Sequence, residues 1–487
     1  MLFLKHPAWL WIKKHRRELI PPLDENLQSR FDQGHDFERY VESIFCDLTK
    51  LGFHDYGSYQ ALAETTKKTW ESGAVTVAQG RYEFNEITCI VDLLSKRDDG
   101  SYNLIEIKSS TSKKQEHIFD LAFQFVVLEG AGYKISKCEL ALVNKDYVLK
   151  GDIEVENLIK FVDVTANVLE KIESTKQRID AALATIKQSQ MPSPSPELAR
   201  LGSYSEWLQI RHQILPEIPE NSIHNLPFMN AEKATKLLEM GIETSELITD
   251  PSILNKSTQK YIRAKKLGKR IVDKNRLEAF LKKIEYPIHF FDYETSQNLV
   301  PIWNNTKPYQ QVTFQYSLHI QYEPFGKIFH FEYLHRDKSN PAPELLKMLE
   351  QHLESSGSVL VWYENFERSR NVEMAEVYQN FRNLLLGVNN RMVDLMLPFS
   401  EEMVIDPLFK GSSSIKSVLP VFNPQLSYKD LNIQEGGSAS RLWKKATFEI
   451  DDESIKTEIY DDLVKYCERD TFAMVEIHNQ LRQLIFN

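Results

Sequence analysis

The sequence predicts an α/β protein with two compact units and a helical, partly basic connector between them. Helix-type and strand-type apolar patterns alternate from residue 31 to residue 148, and they resume at about residue 281. Between them the Pro- and Ser-rich run QMPSPSPELARLG reads as a linker followed by helical patterns. The length of 487 residues suits more than one domain. We expect domains at 1–187 and 281–487 and a connector at 188–280.

Composition limits the class of protein. Apolar residues make up 42% of the chain and charged residues 26%, as in ordinary globular proteins. No apolar stretch approaches the roughly 18 residues that cross a bilayer, and charged residues and a proline interrupt the start MLFLKHPAWLWIKKHRR. The four cysteines have neither metal-type nor disulfide-type spacing. We expect a cytoplasmic protein without a membrane partner. The net charge of -10 argues against a uniformly polyanion-binding surface but allows a local basic groove.

The first domain follows the order helix, strand, strand, helix, strand. Its first helix should place Phe37, Val41, Ile44 and Phe45 on one face. A long helix over 157–187 should close the domain. The other predicted elements are strands at 87–95 and 102–110, a helix at 116–129 and a strand within KCELALVNKDYV.

A first set of chemically capable residues surrounds the strand LIEIKSS. Glu106 and Lys108 share one strand face, where they could hold a divalent cation and position an attacking water. Alone, such a pair is more commonly a surface ion pair. Asp92 ends an apolar run one hairpin earlier, Glu38 lies on the preceding helix, and Gln124 lies on the following one.

These motifs, in this order, resemble the RecB-like branch of the PD-(D/E)XK nuclease superfamily, a restriction-endonuclease-like fold, over roughly residues 1–165. The resemblance implies that Glu38, Asp92 and Glu106 bind Mg²⁺ or Mn²⁺, that Lys108 is catalytic, and that Gln124 contacts the substrate. Many relatives also carry iron–sulfur cysteines. Here His6 stands about where the first would lie, and residues 188–230 contain none, so we expect no cluster.

A second set begins in YPIHFFDYETSQN, where Asp292 and Glu294 follow a buried-strand pattern and share one face. Two neighbouring carboxylates repel unless a cation lies between them. For the motif alone, two solvated acids at a strand end are the explanation that holds in most proteins, and the downstream motifs weaken it. The strand SVLVWYENFERSR leads to Asn365 and Glu367. A C-terminal helix carries Tyr466 and Asp470 one turn apart.

Strand D-x-E, strand N-x-E and helix Y-x3-D resemble the motifs of DEDD 3′–5′ exonucleases, which have an RNase H-like fold, over about residues 284–487. The resemblance implies that Asp292, Glu294 and Asp470 are metal ligands and that Tyr466 orients the attacking water. Glu367 stands where that family usually has Asp, and Asp394 is the reserve candidate. The whole arrangement resembles an uncharacterised bacterial family that joins these two nuclease types.

The basic run KYIRAKKLGKRIVDKNR could follow a phosphate backbone, and a solvated helix face explains it equally well. Within it we select Lys265, Lys266, Lys269 and Arg270 as substrate-binding candidates. Together these features predict a metal-dependent nuclease that acts on nucleic acid, with DNA favoured over RNA. The alternatives are a non-catalytic or partly decayed nucleic-acid-binding protein and an RNA-processing exonuclease.

Overall fold

A computed structural model describes residues 1–20, 22 and 25–486 as a mixed α/β protein. The chain forms two compact units. Unit 1 comprises residues 1–218, 230–235 and 298–309, and unit 2 comprises residues 219–229, 236–297 and 310–487. No helix in the described part of the chain is both long and apolar enough to cross a membrane.

Unit 1 is built around a six-stranded sheet with strands in chain order from β1 to β6. The β1–β2 and β4–β5 pairs are parallel and the other pairs are antiparallel. The strands are β1 (Leu48–Lys50), β2 (Thr76–Phe84), β3 (Ile87–Lys96), β4 (Tyr102–Lys108), β5 (Ile135–Val143) and β6 (Ile159–Asp163). The helices are α1 (Leu2–Lys5), α2 (Pro7–His15), α3 (Glu25–Glu42), α4 (Tyr56–Glu71), α5 (Gln115–Gly130), α6 (Val155–Leu158), α7 (Thr165–Lys187) and α8 (Tyr204–Ile214).

The two faces of this sheet bury different helices, because successive strand residues point to opposite sides. Leu104 on β4 belongs to the core that includes α5 and α7 residues, whereas Ile105 and Ile107 belong to the core that includes α3. Glu106 and Lys108, which alternate with those isoleucines, therefore face α5.

Several predicted boundaries in unit 1 were wrong. The first helix ends at Glu42, so Ile44 and Phe45 lie beyond it, and residues 159–163 form β6 before the long helix begins at Thr165. The helix α4 and the strand β2 were not predicted. Residues 298–309, which we assigned to the C-terminal domain, belong to unit 1, where Leu299 packs in the same core as Phe37.

The predicted connector does not form a separate body. Residues 188–218 belong to unit 1, and residues 236–280 belong to unit 2. The helical pattern expected over 230–250 gives only α9 (Ala231–Glu239), since Gly241 adopts a left-handed φ of 75° that ends regular helix.

Unit 2 contains a five-stranded sheet in the order β10-β9-β8-β11-β12 and the short pair β7–β13. The strands are β7 (Ile271–Val272), β8 (Ile288–Ser296), β9 (Val312–Gln321), β10 (Ile328–Leu334), β11 (Ser358–Val361), β12 (Met392–Asp394) and β13 (Val404–Ile405). The helices are α10 (Lys256–Leu267), α11 (Lys274–Leu281), α12 (Ala342–His352), α13 (Glu364–Val377), α14 (Arg382–Asn390), α15 (Leu397–Ser400), α16 (Ile415–Phe422), α17 (Gly436–Lys444) and α18 (Glu453–Phe486).

The strand β8 is central, antiparallel to β9 and parallel to β11. Phe291 and Tyr293 pack in the core formed with α12, α13 and α14. Asp292 and Glu294 alternate with them and therefore face the opposite side, where α18 packs on β8 and β9. The apolar residues of β8 thus anchor the strand in the core, and its two acids are aimed at the C-terminal helix.

Candidate functional site

In unit 1, the site forms where the strands β3 and β4 separate. Their ladder ends at the pair Leu93–Ile105. Beyond that pair, at the residue before Leu93, the side chain of Asp92 replaces a main-chain acceptor: its Oδ2 accepts a hydrogen bond from the Ile107 N–H at 2.8 Å. The side chain of Asp92 is thereby fixed beside Glu106.

Glu106 is 4% exposed and both of its carboxylate oxygens have partners. Lys108 Nζ donates to Oε1 at 2.5 Å, and Gln124 Nε2 donates to Oε2 at 2.6 Å. Lys108 also donates to Asp120 Oδ2 at 3.0 Å. Because Asp120 and Gln124 are one turn apart on α5, both reach the strand face that carries Glu106 and Lys108.

The acids of this site repel one another and thereby raise one another's pKa. Burial raises the pKa of Asp92 to about 6; the Ile107 N–H and Lys108 oppose that rise, and the carboxylates of Glu38 and Asp120 add to it. Burial, then Asp92, raises the pKa of Glu106 well above its usual range. Burial acts to lower the pKa of Lys108, but the neighbouring carboxylates outweigh it and the net pKa is raised.

The structure therefore brings together four of the five residues that the sequence selected in this region, Asp92, Glu106, Lys108 and Gln124. The fifth, Glu38, contacts His35 at 3.4 Å and acts on Asp92 through its charge. Two contributors were missed. Asp120 was given no role, although its one-turn spacing to Gln124 places both residues on the same helix face. Gln79 Nε2 donates a hydrogen bond to Asp92 Oδ1 at 3.3 Å, and the Gln79 backbone is left-handed, with a φ of 55°. Nothing in the sequence pattern marks this residue.

In unit 2, a second set of acids lies between the sheet and α18. Asp292 is partly buried, whereas Glu294 is 8% and Asp470 9% exposed. Burial, then Asp470, raises the pKa of Asp292 well above its usual range, and Asp292 and Asp470 both add to the effect of burial on Glu294. The three carboxylates named by the D-x-E and Y-x3-D motifs thus repel one another within one site.

Glu367 and Asp394 have different environments. The strand before Glu367 lies beside the strand of Asp292 in the β8–β11 pair, and Glu367 itself lies in the first turn of α13 rather than at a strand end. Glu367 is 1% exposed, and its Oε2 has no hydrogen-bond partner among the described residues. Burial, then Asp292, raises its pKa.

Asp394 is occupied by main-chain donors. Its Oδ1 accepts from the Tyr363 N–H at 3.0 Å and from the Met396 N–H at 2.9 Å, and its Oδ2 accepts from the Glu364 N–H at 3.2 Å. It therefore caps the start of α13. Between the two candidates, Glu367 has the available carboxylate.

Three residues near Asp470 were not selected from the sequence. The Tyr428 hydroxyl donates to Asp470 Oδ1, and Lys416 Nζ donates to the Tyr466 hydroxyl at 3.1 Å. The thiol of Cys467 lies 3.9 Å from Asp292 Oδ2. Lys416 and Tyr428 come from a stretch with no pattern linking it to the acids, whereas Cys467 could have been considered as the direct neighbour of Tyr466.

These neighbours determine the protonation states. Burial raises the pKa of Asp470 to about 6, and hydrogen bonding to Tyr428 together with the charge of Lys416 limits that rise. Burial, then Asp470, raises the pKa of Tyr466, so its phenol is neutral. Asp292, Glu294 and Cys467 offer ligand atoms that all lie within 4.8 Å of one another.

Two of the four basic residues selected as substrate-binding candidates make hydrogen bonds within the protein. Arg270 Nε donates to Asp406 Oδ2 at 2.9 Å, and its guanidinium lies 4.2 Å from the Phe422 ring centre. Lys266 Nζ donates to the Ile248 carbonyl at 3.1 Å. Arg270 is thus held within unit 2 by an ion pair and a ring contact. Lys269 is exposed and Lys265 partly so.

Comparison with known proteins gives one family match. Residues 289–414 are similar to a domain of unknown function, DUF2779. This segment includes Asp292, Glu294, Glu367 and Asp394, and it ends before Lys416 and the helix that carries Asp470.

The curated relatives are described as uncharacterised proteins. The chain is 26% identical over 251 residues to "Uncharacterized protein MG366" of Mycoplasma genitalium, covering 47% of this chain and 38% of the relative. It is 26% identical over 217 residues to "Uncharacterized protein UU173" of Ureaplasma parvum, covering 40% and 31% respectively. The matches thus span less than two fifths of these relatives. No solved structure shows significant similarity to this chain.

Proposed function

We propose that this chain is a cytoplasmic, metal-dependent nuclease that hydrolyses phosphodiester bonds, with DNA as the favoured substrate. The observation that supports this most strongly is the group of acids in unit 2. Burial and mutual repulsion raise the pKa values of Asp292, Glu294 and Glu367 together. Buried acids that repel one another are typical of sites that bind cations.

The donor set suits Mg²⁺ or Mn²⁺. Both ions prefer oxygen ligands, and Glu367 Oε2 is a buried oxygen without a partner among the described residues. Asp292, Glu294, Glu367 and Asp470 would hold the ions. When bound, such ions lower the pKa of water and neutralise charge on a transferring phosphoryl group.

The remaining residues orient the reactants. The Lys416 ammonium donates to the Tyr466 hydroxyl, so that this neutral phenol can direct its own proton to Asp470 or to a water molecule. The Tyr428 hydroxyl donates a hydrogen bond to Asp470 Oδ1. We assign Tyr466 to water orientation and Lys416 to the positioning of Tyr466. This arrangement supports an RNase H-like, DEDD-type exonuclease centre.

The site in unit 1 supports a second centre of PD-(D/E)XK type. Asp92 and Glu106, with Glu38 at the margin, would bind the metal, and Lys108 would stabilise the reacting water or phosphate. Lys108 and Gln124 occupy both oxygens of Glu106 in the absence of metal. These contacts keep the buried carboxylate satisfied until a cation takes their place.

Cleavage assays test the proposal. The full-length chain would be incubated with end-labelled single- and double-stranded DNA and RNA in Mg²⁺, Mn²⁺ or EDTA. We expect metal-dependent cleavage of DNA that Glu106→Gln and Asp470→Asn each reduce and that the double variant abolishes. Asp461→Asn, an exposed acid on the same helix as Asp470, is the matched control and should cleave like wild type.

The alternatives give different results. Preferential cleavage of RNA would favour an RNA-processing exonuclease. Nucleic-acid binding without cleavage, together with no Mn²⁺ uptake by calorimetry, would overturn the proposal and favour a decayed binding protein.

A further inference from the structure

A second group of potential metal ligands in unit 2 lies apart from the four carboxylates. His319 on β9, His330 on β10 and Glu468 on α18 each offer a ligand atom, and these atoms lie within 4.8 Å of one another. His319 is 4% exposed, and His330 Nδ1 is 3.9 Å from Glu468 Oε1. Imidazole combined with carboxylate is a ligand set that suits Zn²⁺ and related transition ions.

The sheet register explains why the two histidines meet. His319 and His330 are directly opposite each other on antiparallel strands, and their rings stack with centroids 4.4 Å apart. His319 is also opposite Phe290 of β8. The pair therefore lies on the sheet face that α18 covers, with His330 two strands, or about 10 Å, from β8. The group that includes Asp292 and Glu294 has no residue in common with this one.

A second acid and two hydroxyls complete the surroundings. Glu332 is two residues from His330 on the same strand face, and burial raises its pKa, with His330 opposing and Glu468 adding to the effect. Thr471 Oγ1 is 2.8 Å from His319 Nδ1, and Ser317 Oγ is 2.9 Å from His330 Nε2. Hydroxyls that accept these ring N–H groups leave the other nitrogen of each ring free to bind a metal.

We propose that His319, His330 and Glu468 form a binding site for a Zn²⁺-class divalent ion that is separate from the carboxylate centre. The site does not depend on nuclease activity, because none of its ligands belongs to the proposed catalytic groups.

Metal binding in the full-length chain tests this site. Zn²⁺ and Co²⁺ would be titrated into wild type and into Asp292→Asn/Asp470→Asn, with calorimetry for affinity and the visible absorption of Co²⁺ for imidazole ligation. We expect the double variant to retain one Zn²⁺ site with imidazole ligation, which the Co²⁺ absorption distinguishes from any ion held by the carboxylates of unit 1. His330→Gln, made in that background, should remove it, and Ser317→Ala should weaken it by about 10- to 100-fold, as loss of a partner that orients a ligand typically does.

The control is His352→Gln, a partly buried histidine of unit 2 that hydrogen-bonds to Tyr316 and is outside the group. It should bind Zn²⁺ like its parent. Circular dichroism of every variant would confirm folding. If the double variant binds no Zn²⁺, or if folded His330→Gln binds it as tightly as its parent, the proposal is overturned, whether or not the chain cleaves nucleic acid.

Discussion

Replacing Asp470 with Asn should stabilise unit 2 when metal is removed, and added metal should offset most of that advantage by protecting wild type. In the metal-free protein the ionised Asp470 is buried beside Asp292 and Glu294, and its pKa rises from 3.8 to about 6. Since a difference of one in pKa equals about 1.4 kcal/mol, ionised Asp470 costs the folded state about 3 kcal/mol. That figure already includes the favourable contacts with Tyr428 and Lys416.

The pH dependence has a definite sign. Because the folded pKa is the higher one, the folded state binds the proton more tightly than the unfolded state does. The cost of Asp470 is therefore absent below about pH 4, grows between about pH 4 and 6, and is complete above about pH 6. Asp470→Asn removes this cost at neutral pH and gives no advantage in acid.

Hydrogen exchange of the β8 and α18 amides provides a local measurement. In EDTA at neutral pH, Asp470→Asn should slow exchange by up to about 100-fold, the equivalent of about 3 kcal/mol. Added Mn²⁺ should protect wild type, by about 2.7 kcal/mol at 100 times the dissociation constant, and protect the variant far less. Faster exchange of the variant in EDTA, or equal Mn²⁺ protection of both proteins, would refute the reasoning. Asp461→Asn should behave like wild type.

Three further predictions follow from single contacts. Asp92→Asn, made in an Asp470→Asn background, should remove metal-dependent cleavage by the unit 1 centre. The fold should remain, because the amide oxygen can still accept the main-chain hydrogen bond. Unchanged cleavage would contradict the assignment. Glu367→Gln should weaken Mn²⁺ binding without lowering thermal stability in EDTA. Asp394→Ala should instead lower the free energy of unfolding by about 1–2 kcal/mol, because a helix cap is lost. The reverse pattern would make Asp394 the ligand. Arg270→Gln should lower the midpoint of thermal unfolding. Lys269→Gln should reduce the salt dependence of DNA binding, measured by fluorescence anisotropy. An unchanged salt slope would make the basic run a solvated surface.

Local patterning made part of each site predictable. A strand has a period of two, so the alternation around Glu106 and Lys108, and that around Asp292 and Glu294, places each pair on one face before any tertiary contact is known. A helix has a period of 3.6, so the spacing of Tyr466 and Asp470 likewise places them together. The sequence alone therefore determined which acids are neighbours within one element and which strands are buried.

The tertiary structure decided everything that depends on contacts between distant segments. Glu367 and Asp394 look alike in the sequence. Only the fold shows that Asp394 accepts hydrogen bonds from the main chain, whereas Glu367 Oε2 has no partner in the described part of the chain. Lys416 reaches Tyr466 across 50 positions, and residues 298–309 join unit 1 despite their place in the C-terminal half. Short-range periodicity cannot encode such pairs, because they arise from how whole helices and strands pack, and packing selects a side chain by its position in space.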